Sequence, residues 1–142
     1  MEDRYLYRAK RFDNGEWVQG VPFEIEAKQV ILIKDNENLL RVHYLEENMW
    51  TAEIYAIEVD ASTICQCTGL KDKNGKLIWE NDIVVCRDFT EEKYVIAWKQ
   101  DEACFEYQQY GCSIMNFEQL SGCEVEVIGN IFDNPELLES EE

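Results

Sequence analysis

Basic residues are scarce in this chain: 13 lysines and arginines stand against 30 acidic residues, a net charge of −17. A surface charged in that way repels a phosphate backbone and repels anionic lipid for the same reason, so direct nucleic-acid binding and membrane attachment are not expected. No apolar run approaches the ~18 residues of a membrane span. The opening Met1-Glu2-Asp3-Arg4-Tyr5-Leu6-Tyr7-Arg8 has no basic stretch leading into an apolar one. No secretory signal is therefore read, and a cytoplasmic location is the expectation. No phosphate loop, dinucleotide fingerprint or nucleophile elbow occurs, and no cofactor is expected.

What is present suits a folded domain. With 142 residues, nearly half of them hydrophobic, the chain can bury roughly 70% of its unfolded surface, enough for a core without staples. Six cysteines, at 65, 67, 86, 104, 112 and 123, lie mostly in apolar, strand-like runs. In a reducing compartment they read as core-filling thiols. Cys65-Gln66-Cys67 followed by scattered single cysteines does not match the paired units of structural zinc.

Turn signals cut the sequence into short strands. Asp13-Asn14-Gly15 lies between Tyr5–Phe12 and Glu16–Phe23, and Asn-Gly supplies the positive φ angles of a tight hairpin. A second hairpin is read from Val30–Ile33 and Leu39–Val42 across the polar Lys34–Asn38. A strand is read at Glu53–Val59, with a helical turn a possibility within Leu45–Ala52. The strongest signal is Lys71-Asp72-Lys73-Asn74-Gly75-Lys76, between Thr63–Leu70 and Leu77–Trp79. Further strands follow at Asp82–Cys86, Tyr94–Trp98, Cys104–Tyr107 and Val125–Ile131, with another possible helical turn at Met115–Leu120. Five or so short strands at close spacing suggest a small barrel.

Two segments carry a resemblance. One is Gln66-Cys67-Thr68-Gly69-Leu70-Lys71-Asp72-Lys73-Asn74-Gly75-Lys76-Leu77-Ile78-Trp79-Glu80-Asn81-Asp82-Ile83-Val84. The other is Glu126-Val127-Ile128-Gly129-Asn130-Ile131-Phe132-Asp133-Asn134-Pro135-Glu136-Leu137-Leu138. Together with Tyr7–Arg11 and Asp13–Gly20 they resemble the YopX family of phage and prophage proteins. Asn81 stands where that family usually has Gly, and Trp79 where Phe is common. Asn tolerates left-handed backbone, so the turn can survive the change. The resemblance implies a β-rich fold and a phage or prophage setting in Gram-positive bacteria; it implies no catalytic residue.

Glu80 and Asp82, two apart, would share a face if they lay on one strand, and two carboxylates on a face can bind a cation or exchange protons. Against this, Asp82 suits a turn-capping role and Glu80 a solvated one. Lys71, Lys73 and Lys76 form a local basic cluster around a turn. His43 is the one histidine, and nothing selects a cysteine to pair with it. Trp98, in an apolar run, is expected in the core. Trp50 and Tyr110, with polar neighbours, suit a groove as well as a core. The candidate binding residues are thus Glu80, Asp82, Trp50 and Tyr110.

The fold expected is mainly β: a hairpin-rich part over residues 1–62, an SH3-like barrel over 63–132 and an acidic tail over 133–142. The function expected is that of a non-enzymatic accessory protein acting through a protein partner or as a homo-oligomer. The alternatives are an acidic DNA mimic, motivated by the charge, and a weak metal- or nucleotide-dependent enzyme built on Glu80 and Asp82.

Overall fold

The computed structural model describes residues 6–32, 40–47, 49–54, 56–86, 92–109, 112–116 and 125–139, without the side chains of 32, 40–45, 50–54 and 112–116. The chain is mainly antiparallel β. Among the described residues the only helical pieces are 3-10 turns at Ala61–Thr63 and Pro135–Leu138. The chain divides into two compact units, Tyr5–Cys65 and the chain from Gln66 onward.

In the first unit, β1 (Tyr7–Lys10), β2 (Trp17–Ile25), β3 (Lys28–Leu32) and β6 (Ala56–Glu58) form a sheet in the order β6-β3-β2-β1. The β1–β2 hairpin turns where Asn14-Gly15 predicts it. Gly15 has φ +72°, and the Asn14 side-chain oxygen accepts the Glu16 amide at 2.9 Å, the local bond that makes Asn a turn residue. Alternation along the paired strands sends Ala9, Val18 and Ile31 to one face. There Ala9, Ile31 and Val59 form a small core, lined by Tyr7, Val18 and Ile64. Asp60 caps the first 3-10 turn by accepting the Ser62 amide and hydroxyl. The turn is tied to β1 through the Lys10 amide, which donates to the Thr63 hydroxyl.

The second hairpin differs from expectation. β3 is flanked by β2 and β6, so both its edges are occupied, and β4 (Leu40–Glu46) pairs instead with β5 (Met49–Ile54). The β2–β3 connection is a two-residue turn, Glu26-Ala27, with both residues at positive φ. That geometry normally selects Asn-Gly, and Glu-Ala conceals it. The helical turn considered within Leu45–Ala52 is not formed: residues 45–46 and 49–52 belong to β4 and β5.

In the second unit, β7 (Cys65–Lys71) pairs with β8 (Leu77–Trp79) through a bulged register. β9 (Asp82–Val85), β10 (Lys93–Lys99), β11 (Cys104–Gln109), β12 (Cys112–Asn116) and β13 (Glu126–Asn130) form a five-stranded antiparallel sheet in the order β12-β11-β10-β9-β13. Met115 and Asn116, considered for a helical turn, lie in β12, and the rest of that segment is outside the described residues. No closed barrel is formed among the described residues. The core gathers Ile78, Val84, Cys86, Tyr94, Ile96, Tyr107 and Val125. Tyr94 meets Tyr107 edge-on at 6.1 Å, a geometry the aromatic quadrupole favours. Burial pushes the Tyr107 hydroxyl up to about 12.

The cysteines divide. Cys65 and Cys67 are buried free thiols, and Cys104 is free and half-buried. Cys86 is disulfide-bonded to a side chain outside the described set, which corrects the reading of all six as reduced core thiols. Trp98 also departs from expectation. It is 36% exposed, packed edge-on against Phe105 at 5.0 Å, with its indole N–H donating to Gln100. It shares the period-2 face of Tyr94 and Ile96, but it lies one residue from the end of β10, where that face is open to solvent.

Candidate functional site

Glu80 and Asp82 do not share a strand. β8 ends at Trp79, β9 begins at Asp82, and Glu80-Asn81 form the tight corner between them. Asn81 sits at φ +69°, left-handed backbone that Asn tolerates and β-branched residues do not. The corner is locked on three sides. The Asn81 amide donates to Ile96 O at 2.7 Å, Asn81 O accepts from Ile131, and the Glu80 amide donates to Gln66 O at 2.9 Å. Asp82, 2% exposed, accepts the Trp79 amide at 2.8 Å. Glu80 Oε1 accepts the Gln66 amide at 3.2 Å. Both carboxylates thus have backbone amides as partners, and the corner joins β7, β8, β9, β10 and the segment after β13.

The lysine turn is organised by Asp72. Its carboxylate accepts the amides of Asn74 at 2.8 Å and Lys76 at 2.9 Å, and with the other oxygen the Val127 amide at 3.0 Å. Burial works to raise this carboxyl, but the amides of Val127, Lys76 and Asn74 and the Lys76 charge outweigh it and hold it below the usual range. Lys73 adds a backbone bond to Val125 O and a 3.8 Å ion pair to Glu126. The basic cluster therefore docks the hairpin onto β13.

The end of β13 is a second polar knot. Asn130 accepts the amides of Phe132 and Asp133 and donates to the Asp133 carboxylate. The Asn134 side chain accepts the Asn130 amide at 3.3 Å. Gly129 lies beneath it: a Cβ there would stand 2.5 Å from Asn134 Oδ1 and 3.0 Å from its Cβ. Among the described residues, no group of three or more His, Cys, Asp or Glu side chains is placed to hold a metal ion. The Trp50 side chain and the whole of Tyr110 lie outside the described residues, as does the His43 side chain.

One feature was missed by sequence reasoning. Val21, Phe23 and Ile25 alternate along β2 and are 40%, 55% and 41% exposed. Their period-2 pattern is legible and would place them inside. Yet Val18 on the same strand, with its cross-strand partner Ala9, faces the core from the opposite side. The face that carries the three apolar residues also carries Trp17, with the Arg8 guanidinium 4.5 Å and the Lys10 ammonium 5.5 Å from its ring centroid. At its far end Lys28 pairs with Glu58 at 3.8 Å.

A family model described as YopX protein matches residues 6–139, nearly the whole chain. A solved structure, the crystal structure of protein EF1440 from Enterococcus faecalis, is similar with a TM-score of 0.61 and 26% identity, over 94% of this chain and 96% of that one. No curated protein matches. The chain belongs to the YopX family.

Proposed function

We propose that this YopX-family chain is a non-enzymatic accessory protein of a phage or prophage that works by protein–protein contact through the exposed face of β2. The carrying observation is the strip Val21, Phe23 and Ile25, side by side and open to solvent on one strand. Single exposed apolar residues are ordinary, whereas a contiguous strip with an aromatic at its centre is the composition of an interface core. The engagement of Glu80 and Asp82 with backbone amides supports a structural part for that corner over a catalytic one. The five-stranded sheet supports the SH3-like reading of the second unit: it is a meander from β9 to β12 whose final strand, β13, returns beside β9.

The test is affinity capture from a Gram-positive bacterial lysate with the tagged wild type and with Phe23→Asp. Proteins, copies of this chain included, that the wild type retains and Phe23→Asp releases would support the reading. Identical retention by both would remove the β2 face from the function. A basic DNA-binding protein held by both, and released by salt, would favour the acidic DNA mimic.

A further inference from the structure

Asn-Gly occurs twice in the chain, at Asn14-Gly15 and Asn74-Gly75. Both pairs sit in exposed hairpin turns, and a Cβ at either glycine would meet nothing within 4 Å. The missing side chain leaves each glycine nitrogen open to the side-chain amide that precedes it. Each glycine N–H donates within its turn, Gly15 to Arg11 O and Gly75 to Asp72 O, both at 3.0 Å, so this bond does not distinguish the two sites. Two other features do. The Asn14 side-chain oxygen is held by the Glu16 amide at 2.9 Å. Among the described residues the Asn74 side chain has no hydrogen-bond partner, and only its backbone amide is bound, to Asp72. The charges differ as well: Asn14 is flanked by Asp13 and Glu16, whereas Asn74 lies among Lys71, Lys73 and Lys76.

We propose that Asn74 is a site of spontaneous covalent modification: deamidation through a succinimide, with water as the co-reactant. The Gly75 nitrogen gives its proton to hydroxide and attacks Asn74 Cγ. An N–Cγ bond forms, the Cγ–Nδ2 bond breaks, and ammonia leaves with a proton returned from water. Water then opens the ring. Cleavage at the side-chain carbonyl leaves aspartate in an ordinary chain. Cleavage at the main-chain carbonyl leaves isoaspartate, with the backbone lengthened by one carbon. Nothing is oxidised or reduced. The reaction passes through an anion, which the ammonium groups around Asn74 favour and the carboxylates beside Asn14 oppose. A side chain without a restraining bond also reaches the attack geometry that the Glu16 amide denies to Asn14.

The product acts on the docking of the lysine turn. Asp72 Oδ1 accepts the Asn74 amide on one side of the altered link and the Lys76 amide on the other. An extra backbone carbon between those amides moves them out of register with their shared acceptor, whereas ordinary aspartate at 74 leaves them in place. The hairpin that Asp72 and Lys73 fasten to β13 therefore loosens as the protein ages.

Peptide mapping of the folded full-length chain, after incubation at neutral and at mildly alkaline pH, reads each event as an added negative charge and a mass gain of about 1 Da. Asn74 is expected to convert about fivefold or more faster than Asn14, the rate factor that one net hydrogen bond amounts to. Both rates should rise with pH. In urea, where Asn14 loses its bond to Glu16, the gap should narrow to what the neighbouring charges alone sustain. Asn74→Gln, whose longer side chain closes no succinimide, should gain no charge at that position. The isoaspartate-74 fraction, separated by ion exchange, should unfold at lower urea than Asn74→Asp, which carries the same charge on an unaltered backbone. Conversion at Asn14 equal to or ahead of Asn74, a rate gap undiminished in urea, or isoaspartate at 74 with the urea midpoint of Asn74→Asp would each overturn the proposal.

Discussion

Asp72 and Val127 lie 55 positions apart and are joined by a 3.0 Å hydrogen bond from the Val127 amide to the Asp72 carboxylate. The same carboxylate caps the 72–76 turn, so one buried side chain both shapes a hairpin and fastens it to β13. Asp72→Ala leaves three amides without this acceptor. It is expected to cost about 3 kcal/mol, read as a lower urea midpoint.

The Asp72 contribution also has a pH window. Its folded-state pKa lies below the ordinary value, so its stabilisation is complete above the unfolded value of about 4 and lost as pH falls through the folded one. The stability gap between wild type and Asp72→Asn should be constant from neutrality down to about pH 4 and narrow below it. Urea titrations of both proteins across that range check this.

Gly129 is confined by Asn134 rather than by its own backbone angles. Gly129→Ala must displace the Asn134 side chain and with it the bond to the Asn130 amide, and is expected to cost about 1–3 kcal/mol. In the double variant with Asn134→Gly the clash is gone. A double-mutant cycle should therefore show that the two losses do not add.

At Asn81 the backbone angle decides. Asn81→Gly and Asn81→Ala both remove the side chain, but only Gly relieves φ +69°. Thermal unfolding should place the Gly variant above the Ala variant by about 1 kcal/mol. Equal stability would mean that the corner relaxes.

Tyr107 keeps its proton to about 12 because burial opposes the phenolate. Its neutral form is favoured on folding, so stability is full below about pH 10 and declines as pH rises toward 12. Tyr107→Phe should remove one late step from an absorbance titration and soften the alkaline loss.

The legible parts of the fold are those whose turns state their own geometry. Asn14-Gly15 and Asn74-Gly75 place two hairpins because Gly at both sites has φ of +72° and +81°. Glu26-Ala27 makes an equally tight turn from residues with no such preference, and the β3 pairing was misassigned as a result. Trp98 has both the apolar run and the parity of Tyr94 and Ile96 that suit a core residue, but it sits next to the end of β10, and the reach of the core along that strand is set by the fold. For the candidate site, Asp82 and Asn130 cap turns through amides two or three residues away, whereas Asp72 also reaches the Val127 amide, 55 positions on, which only the fold brings to it. The β2 strip was readable as an alternation, but not the face it takes, since Ala9, Ile31 and Val59 fill the other side.

β9 is the strand around which the second sheet is ordered, and its two neighbours reach it at different times. β10 follows within a few residues, whereas β13 must come back from Glu126–Asn130 to meet Asp82–Val85. On a ribosome, β9 to β12 emerge first and wait with one edge of β9 unpaired until the last strand is made. Closing so long a loop is slow. During synthesis the chain therefore exposes a sticky strand edge, and Val125 and Val127 reach the core last.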